Sequence, residues 1–216
     1  MRQILILVEG QTEEQFIKNI LNPYLNSLDV HLTPTIINTK IVKGGSNFKG
    51  GITSYDQVKR DILRLVRSST TAVTTFIDYY GLPNSFPGFG KVGSSIDKVL
   101  AIEKAFFDDI GANNFIPYVQ IHEFEALLFS SLSGFEYNFP ENKLSLKMVS
   151  DITESYPNPE DINDNPLTAP SKRLIAIYPQ FRKPFHGPLI ALQNEIEIVL
   201  EKCPHFSGWV QKLIIA

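Results

Sequence analysis

Only one cysteine, Cys203, occurs in 216 residues. That excludes an internal disulfide and a cysteine-based structural zinc site. No apolar run approaches the roughly 18 residues that a membrane span requires. Arg2 precedes only the short run Ile4 to Val8, less than the apolar core of a secretory leader, so a cytoplasmic chain is expected. Positive charge is not in excess either: Lys and Arg total 20 against 23 Asp and Glu, for a net charge of −3 and a pI near 5.8. No global basic field announces a nucleic acid, although a local stripe or a bound cation can offset acidity. Internal repeats and low-complexity tracts are missing too. Aromatic residues are plentiful, with 15 Phe and 8 Tyr in a chain that is 43% hydrophobic and 20% charged. This is the composition of a globular protein with one sizeable core and room for an appended subdomain.

Ile4 to Val8 is uniformly apolar, as expected of a strand covered on both faces. Thr12 then opens a helix, with Gln15 three positions on completing a capping-box pattern, and Pro23 bends or divides that helix. A second strand is expected from Thr35 to Val42. "KGGSNFKGG", residues 43 to 51, is too rich in glycine for anything but a loop. Val58, Ile62 and Leu65 share one helical face and Arg60, Arg64 and Arg67 another. "AVTTFI" (72 to 77) reads as a third strand ending at Asp78. A helix follows from Ser94 or Ser95 to Ile110, stopped by Gly111. Phe115 to Ile121 is the fourth strand candidate, and "HEFEALLF" (122 to 129) turns helical. Alternation of strand and helix at this spacing predicts an α/β fold with a mostly parallel four-stranded sheet flanked by helices. Residues 1–135 form that core. Residues 136–216 form a mainly helical extension that includes a long loop over 156 to 170, a helix capped by Ser171 and another from Ile190 to Leu200.

In open parallel sheets, ligands sit outside the carboxyl ends of the strands. Three strand candidates end there in acid: Glu9, Asp78, and Glu123 with Glu125. Clustered hard oxygens suit Mg²⁺ or Mn²⁺. Without a cation, crowded carboxylates repel and raise each other's pKa. Glu13 and Glu14 lie in a first helical turn, where the helix dipole favours anions, and are assigned to helix stability. Glu123 and Glu125 have the same alternative reading, and Asp78 could simply turn the chain. Glu9 sits before the cap beside a glycine and is the hardest to explain that way.

Other patterns lead less far. His122-Glu123 is not a zinc-protease motif, because position 126 is Ala126. His31, His186 and His205 are scattered. "KGGSNFKGG" lacks P-loop spacing, yet Lys43 and Lys49 are candidates for phosphate binding. The arginine stripe, "SKRL" (171 to 174) and "FRKPFHG" (181 to 187) are basic clusters that suit a solvated face or a phosphate backbone equally.

With strand–Glu9-Gly10–helix followed by strand–Asp78, the chain resembles a TOPRIM domain, the Rossmann-like fold of topoisomerases, primases and overcoming-lysogenization-defect nucleases. "VEGQTEEQF", "FIDYYGLP", "PYVQIHEFEALLF", "APSKRL" and "CPHFSGW" together resemble an uncharacterised bacterial family, catalogued as a domain of unknown function and often encoded beside an AAA or ABC-type ATPase. That resemblance spans nearly the whole chain. It implies a TOPRIM-like core, metal-dependent phosphodiester hydrolysis on DNA or tRNA, and a role in phage defence with the ATPase. Glu9 and Asp78 would hold Mg²⁺ or Mn²⁺, with Glu9 alternatively a general base. The second aspartate of the TOPRIM Asp-x-Asp is replaced by Tyr80. Either Glu123 or Glu125 supplies that oxygen, or the site binds metal weakly and is not catalytic. Tyr80 and His122 would then contact substrate. The rival is a non-catalytic sensor or partner subunit whose acidic crevice binds the ATPase or a nucleotide. A third reading is nucleotidyl transfer or phosphatase activity on small molecules. A homo-oligomer is compatible with each.

Overall fold

The computed structural model describes residues 1–37, 51–68, 71–162 and 166–216. Lys43 and Lys49 therefore lie outside the described residues, as does the end of the expected second strand. Strand β1 (Arg2–Val8) runs into helix α1 (Gln11–Phe16), a π-helical segment (Ile17–Leu21) and α2 (Asn22–Asn26). Pro23 removes a backbone donor from this helical stretch, and the π segment just before it absorbs the mismatch. Strand β2 is Val30–Ile36, earlier than the expected Thr35 to Val42. Its alternation is obscured by Pro34, which is tolerated because, among the described residues, β2 pairs only with β1 and lies at the sheet edge.

Helix α3 (Tyr55–Ser68) leads to β3 (Val73–Asp78), and α4 (Ser95–Ile110) follows after a 3₁₀ turn at Tyr79–Gly81. The ends of α4 are as the sequence dictates. Ser94 and Asp97 form a reciprocal capping box, and Gly111 takes the left-handed conformation at φ 65°. The fourth strand is broken into β4 (Phe115–Ile116) and β5 (Val119–Gln120), both paired with β3. Pro117 cannot donate to the ladder. Across the gap the Thr75 hydroxyl donates to the Tyr118 carbonyl (2.7 Å) and accepts from its amide (2.8 Å). The result is a parallel sheet in the order β2-β1-β3, with β4 and β5 sharing the fourth position.

"HEFEALLF" becomes a 3₁₀ helix, Phe124–Ser130. Then come α5 (Ser133–Asn138), α6 (Lys143–Ser155), α7 (Pro170–Ile177), α8 (Lys183–Gln193), α9 (Ile196–Lys202) and α10 (Pro204–Ile215). Two expectations need correction here. Ala169, not Ser171, is the N-cap of α7, with Pro170 as its first residue. The expected Ile190 to Leu200 helix is cut at Asn194 and Glu195. The Asn194 side chain is buried, accepting from the Gly134 amide (3.0 Å) and donating to the Leu128 carbonyl (2.7 Å), and Glu195 has φ 55°.

The period of two along the strands divides the apolar side chains between two layers. Leu7, Val73 and Ile77 pack with α3 and α4. Ile4, Ile6, Val8 and Phe76 pack with α1 and the C-terminal helices. Trp209 of α10 stacks on Phe76 (5.6 Å, 5°) and Tyr118 (4.4 Å, 17°), and its indole N–H donates to Thr74 Oγ1 at 2.8 Å. Trp209→Ala is therefore expected to cost about 3–5 kcal/mol. Trp209→Phe, which keeps a ring but loses the donor, should cost about 1–2 kcal/mol. Urea unfolding followed by circular dichroism checks both.

Candidate functional site

The period of two also aims Asp78, the last residue of β3, to the same side as Phe76, toward α1, α8 and the Phe124–Ser130 turn. Its Oδ1 accepts from the Phe124 amide at 2.9 Å. Its own amide donates to Glu9 Oε2 at 3.4 Å, so the ends of β1 and β3 are tied through Glu9. The turn after β3 closes against the same carboxylate. A Cβ on Gly81 would stand 3.0 Å from both Glu9 oxygens, so only glycine fits there without displacing them.

Glu13 joins this cluster. The helix starts at Gly10 with no side-chain cap, which corrects the Thr12–Gln15 capping box. Glu13 shares the inward face with Phe16, Ile17 and Ile20 and is 8% exposed. Glu14, one residue on, points outward to Lys18 at 2.6 Å. Burial, followed by the charge of Glu9, raises the Glu13 pKa to about 7 despite hydrogen bonds from its own amide and that of Gly10. Its assignment to helix stability alone is incomplete. The signal is present in the sequence, since positions 13, 16, 17 and 20 lie on one helical stripe.

The other side of the crevice is built by residues 122–125 and by α8. His122 is buried and has φ 63°, a left-handed conformation uncommon for histidine. Its carbonyl accepts from the Tyr80 amide at 3.1 Å, and its ring centroid lies 5.3 Å from that of Tyr80. Just beyond this bend, Glu123 Oε2 accepts from the Ser171 amide (3.0 Å) and Oε1 faces Lys183 Nζ (3.4 Å). Glu125 is 2% exposed and meets the same ammonium at 3.1 Å. Burial raises its pKa to about 7 even though Lys183 opposes the shift.

Glu9 is also raised, chiefly by burial, with Glu125 and Glu123 adding to the shift. Asp78 is pushed well above the carboxylate range by burial and then by Glu13, Glu9 and Glu125. Burial pulls the Lys183 pKa down, but Glu125, Glu123 and Asp78 hold it above the ordinary lysine value. The structure thus brings together Glu9, Asp78, Glu123 and Glu125, with the Tyr80 and His122 rings in tilted contact at the bend before Glu123. It adds Glu13, signalled by its helical stripe, and Lys183, for which only the ambiguous "FRKPFHG" cluster gave notice. Fully ionised, these five carboxylates would exceed the charge of Lys183 by four. Such a crevice must hold protons, or a cation, near neutral pH. Among the described residues no three Asp, Glu, His or Cys side chains are arranged to hold a metal ion as they stand. No helix among those residues is long and apolar enough to cross a membrane.

Residues 8–214 match a family described as a domain of unknown function (DUF4276). No curated protein and no solved structure matches the chain.

Proposed function

The chain belongs to this family of unknown function, DUF4276, and we propose that its crevice binds Mg²⁺ or Mn²⁺ and hydrolyses nucleic-acid phosphodiesters on a TOPRIM-like core. The observation that carries this reading is the convergence of five carboxylates at the carboxyl ends of β1 and β3, opposed among the described residues by Lys183. A glutamate after the first strand and an aspartate after the third support the TOPRIM-like comparison. The donor set suits the ion in kind, because carboxylate oxygens, once their protons are released, are the hard ligands that a hard divalent cation selects.

Glu9 and Asp78 would hold the cation, with Glu13 as the third oxygen, the one that Tyr80 cannot supply. Glu123 and Glu125, now paired with Lys183, would be candidates for further ligands. The ion would supply Lewis-acid stabilisation of the phosphate and a water more readily deprotonated. Glu125, poised near pH 7, suits proton transfer at neutral pH. Lys183 would offset charge on the phosphate, and Tyr80 and His122 would position the substrate. DNA or tRNA as substrate, an AAA or ABC-type ATPase partner and a role in phage defence belong to the same proposal.

Gly81→Ala tests the positioning of Glu9. It is expected to fold normally and to weaken Mn²⁺ binding about tenfold, as loss of a ligand's support does; isothermal titration checks it. Affinity should also rise between pH 6 and 8, as Glu13 and Glu125 lose protons that compete with the ion.

A second reading has its own support. Lys183 already engages Glu123 and Glu125, as expected of a non-catalytic sensor or partner subunit whose crevice binds an ATPase or a nucleotide. The two readings separate on single-stranded DNA, plasmid and tRNA with Mn²⁺, assayed with and without the ATPase. Cleavage lost in Glu9→Gln supports the enzyme. Identical, inactive wild type and variant would leave only the binding role.

A further inference from the structure

A groove lies between α1 and α8, the helices that carry Glu13 and Lys183 into the acidic crevice. It encloses about 440 Å³, of the size that takes small ligands. One wall carries the side-chain amides of Gln11, Gln15 and Asn19, of which Asn19 Nδ2 donates to Gln15 Oε1 (2.8 Å) and leaves the Gln15 amino group and the Asn19 oxygen to face a ligand; the other carries Pro184, Phe185 and Leu189. The link to the crevice runs through α8, where Pro184 directly follows Lys183. The helices meet closely here, since a Cβ on Gly187 would sit 3.4 Å from the Thr12 methyl.

Phe185 is 62% exposed, a large cost in hydration for a phenyl ring with no structural duty. It is held edge-on to His186 (4.9 Å, 90°), which fixes its orientation while leaving a face open. An open aromatic face opposite amides that both donate and accept is the chemistry of an unpaired nucleobase: the ring stacks and the amides meet the base edge. Glu14, at the groove's rim, is already neutralised by Lys18. A duplex cannot present a base face in this way without unstacking.

We propose that this groove is a nucleobase subsite, stacking on Phe185 an unpaired base that neighbours the phosphate bound in the crevice. The inference rests on the nucleic-acid reading above and narrows it to single-stranded segments. Fluorescence anisotropy of a labelled single-stranded 12-mer, and of the matching duplex, measured in Ca²⁺, tests it without requiring turnover. Wild type should prefer the single strand. Phe185→Ala should weaken single-strand binding about tenfold or more, and Phe185→Trp should restore it. Mn²⁺ affinity should stay unchanged in both variants. Equal single-strand binding by wild type and Phe185→Ala overturns the subsite, as does binding of neither oligonucleotide. Cleavage by wild type that is lost in Glu9→Gln would still uphold the phosphodiesterase reading.

Discussion

Glu9→Gln and Asp78→Asn are each expected to lower Mn²⁺-dependent phosphodiester cleavage at least a hundredfold while making the metal-free protein more stable at pH 8. Both substitutions preserve shape and the local acceptors. The side-chain amide oxygen introduced at position 9 can still accept from the Asp78 backbone amide, and the one introduced at position 78 from the Phe124 amide. What each removes is a negative charge. If that charge holds the ion, several kcal/mol of charge stabilisation at the phosphate is lost, and every 1.4 kcal/mol is about tenfold in rate. The same charge is a burden to the metal-free fold. Burial and the neighbouring acids raise both pKa values, so the folded state retains protons that the unfolded chain releases above pH ~4.5. Stability therefore falls as pH rises through that window, and the penalty is complete above the folded pKa. Neutral replacements should relieve this penalty at pH 8, giving a higher unfolding midpoint than wild type in EDTA. Cleavage assays beside thermal unfolding in EDTA give both readings. A variant that loses activity together with stability would mark these acids as structural.

Lys183→Met should act in the opposite direction on stability, by about 2–3 kcal/mol at pH 8 in EDTA: it leaves Glu123 and Glu125 without their cation, although solvent screens a lysine that is itself 38% exposed. The effect depends on pH. The groups facing Lys183 are Glu125, Glu123 and Asp78, with Glu9 and Glu13 beyond them. Around pH 5, Glu125 and Glu13, whose folded pKa values lie near 7, are protonated and need no partner. The loss should then shrink to about 1 kcal/mol, the packing of the lysine stem. Guanidinium unfolding at the two pH values checks the contrast. A loss independent of pH would mean that Lys183 contributes packing alone.

Much of this arrangement is legible in the sequence because it rests on short-range rules. The apolar run before Glu9, the serines at 94 and 95 and the Gly111 stop are local signals, and each element stands where they put it. The acids after β1 and β3 can be placed at one end of the sheet because parallel strands share a direction. What escapes depends on partners distant in sequence. Thr12 has the pattern of a cap, yet the chain turns at Gly10 and leaves Glu13 facing inward. Lys183 lies 58 positions from Glu125, and no local pattern distinguishes it from Lys172 or Arg182. The fourth strand reads as continuous, whereas Thr75 replaces its ladder at Pro117. The cut at Asn194 likewise follows from contacts with Gly134 and Leu128.

Manganese is the most direct probe of the central claim, because it stands in for magnesium and scatters anomalously. A crystal soaked in Mn²⁺ above pH 7, where Glu13 and Glu125 release their protons, should show an anomalous peak about 2.1–2.3 Å from oxygens of both Glu9 and Asp78. An oxygen of Glu13 should complete the set. A crystal without a peak at these residues, with Lys183 still bridging Glu123 and Glu125, would contradict the account.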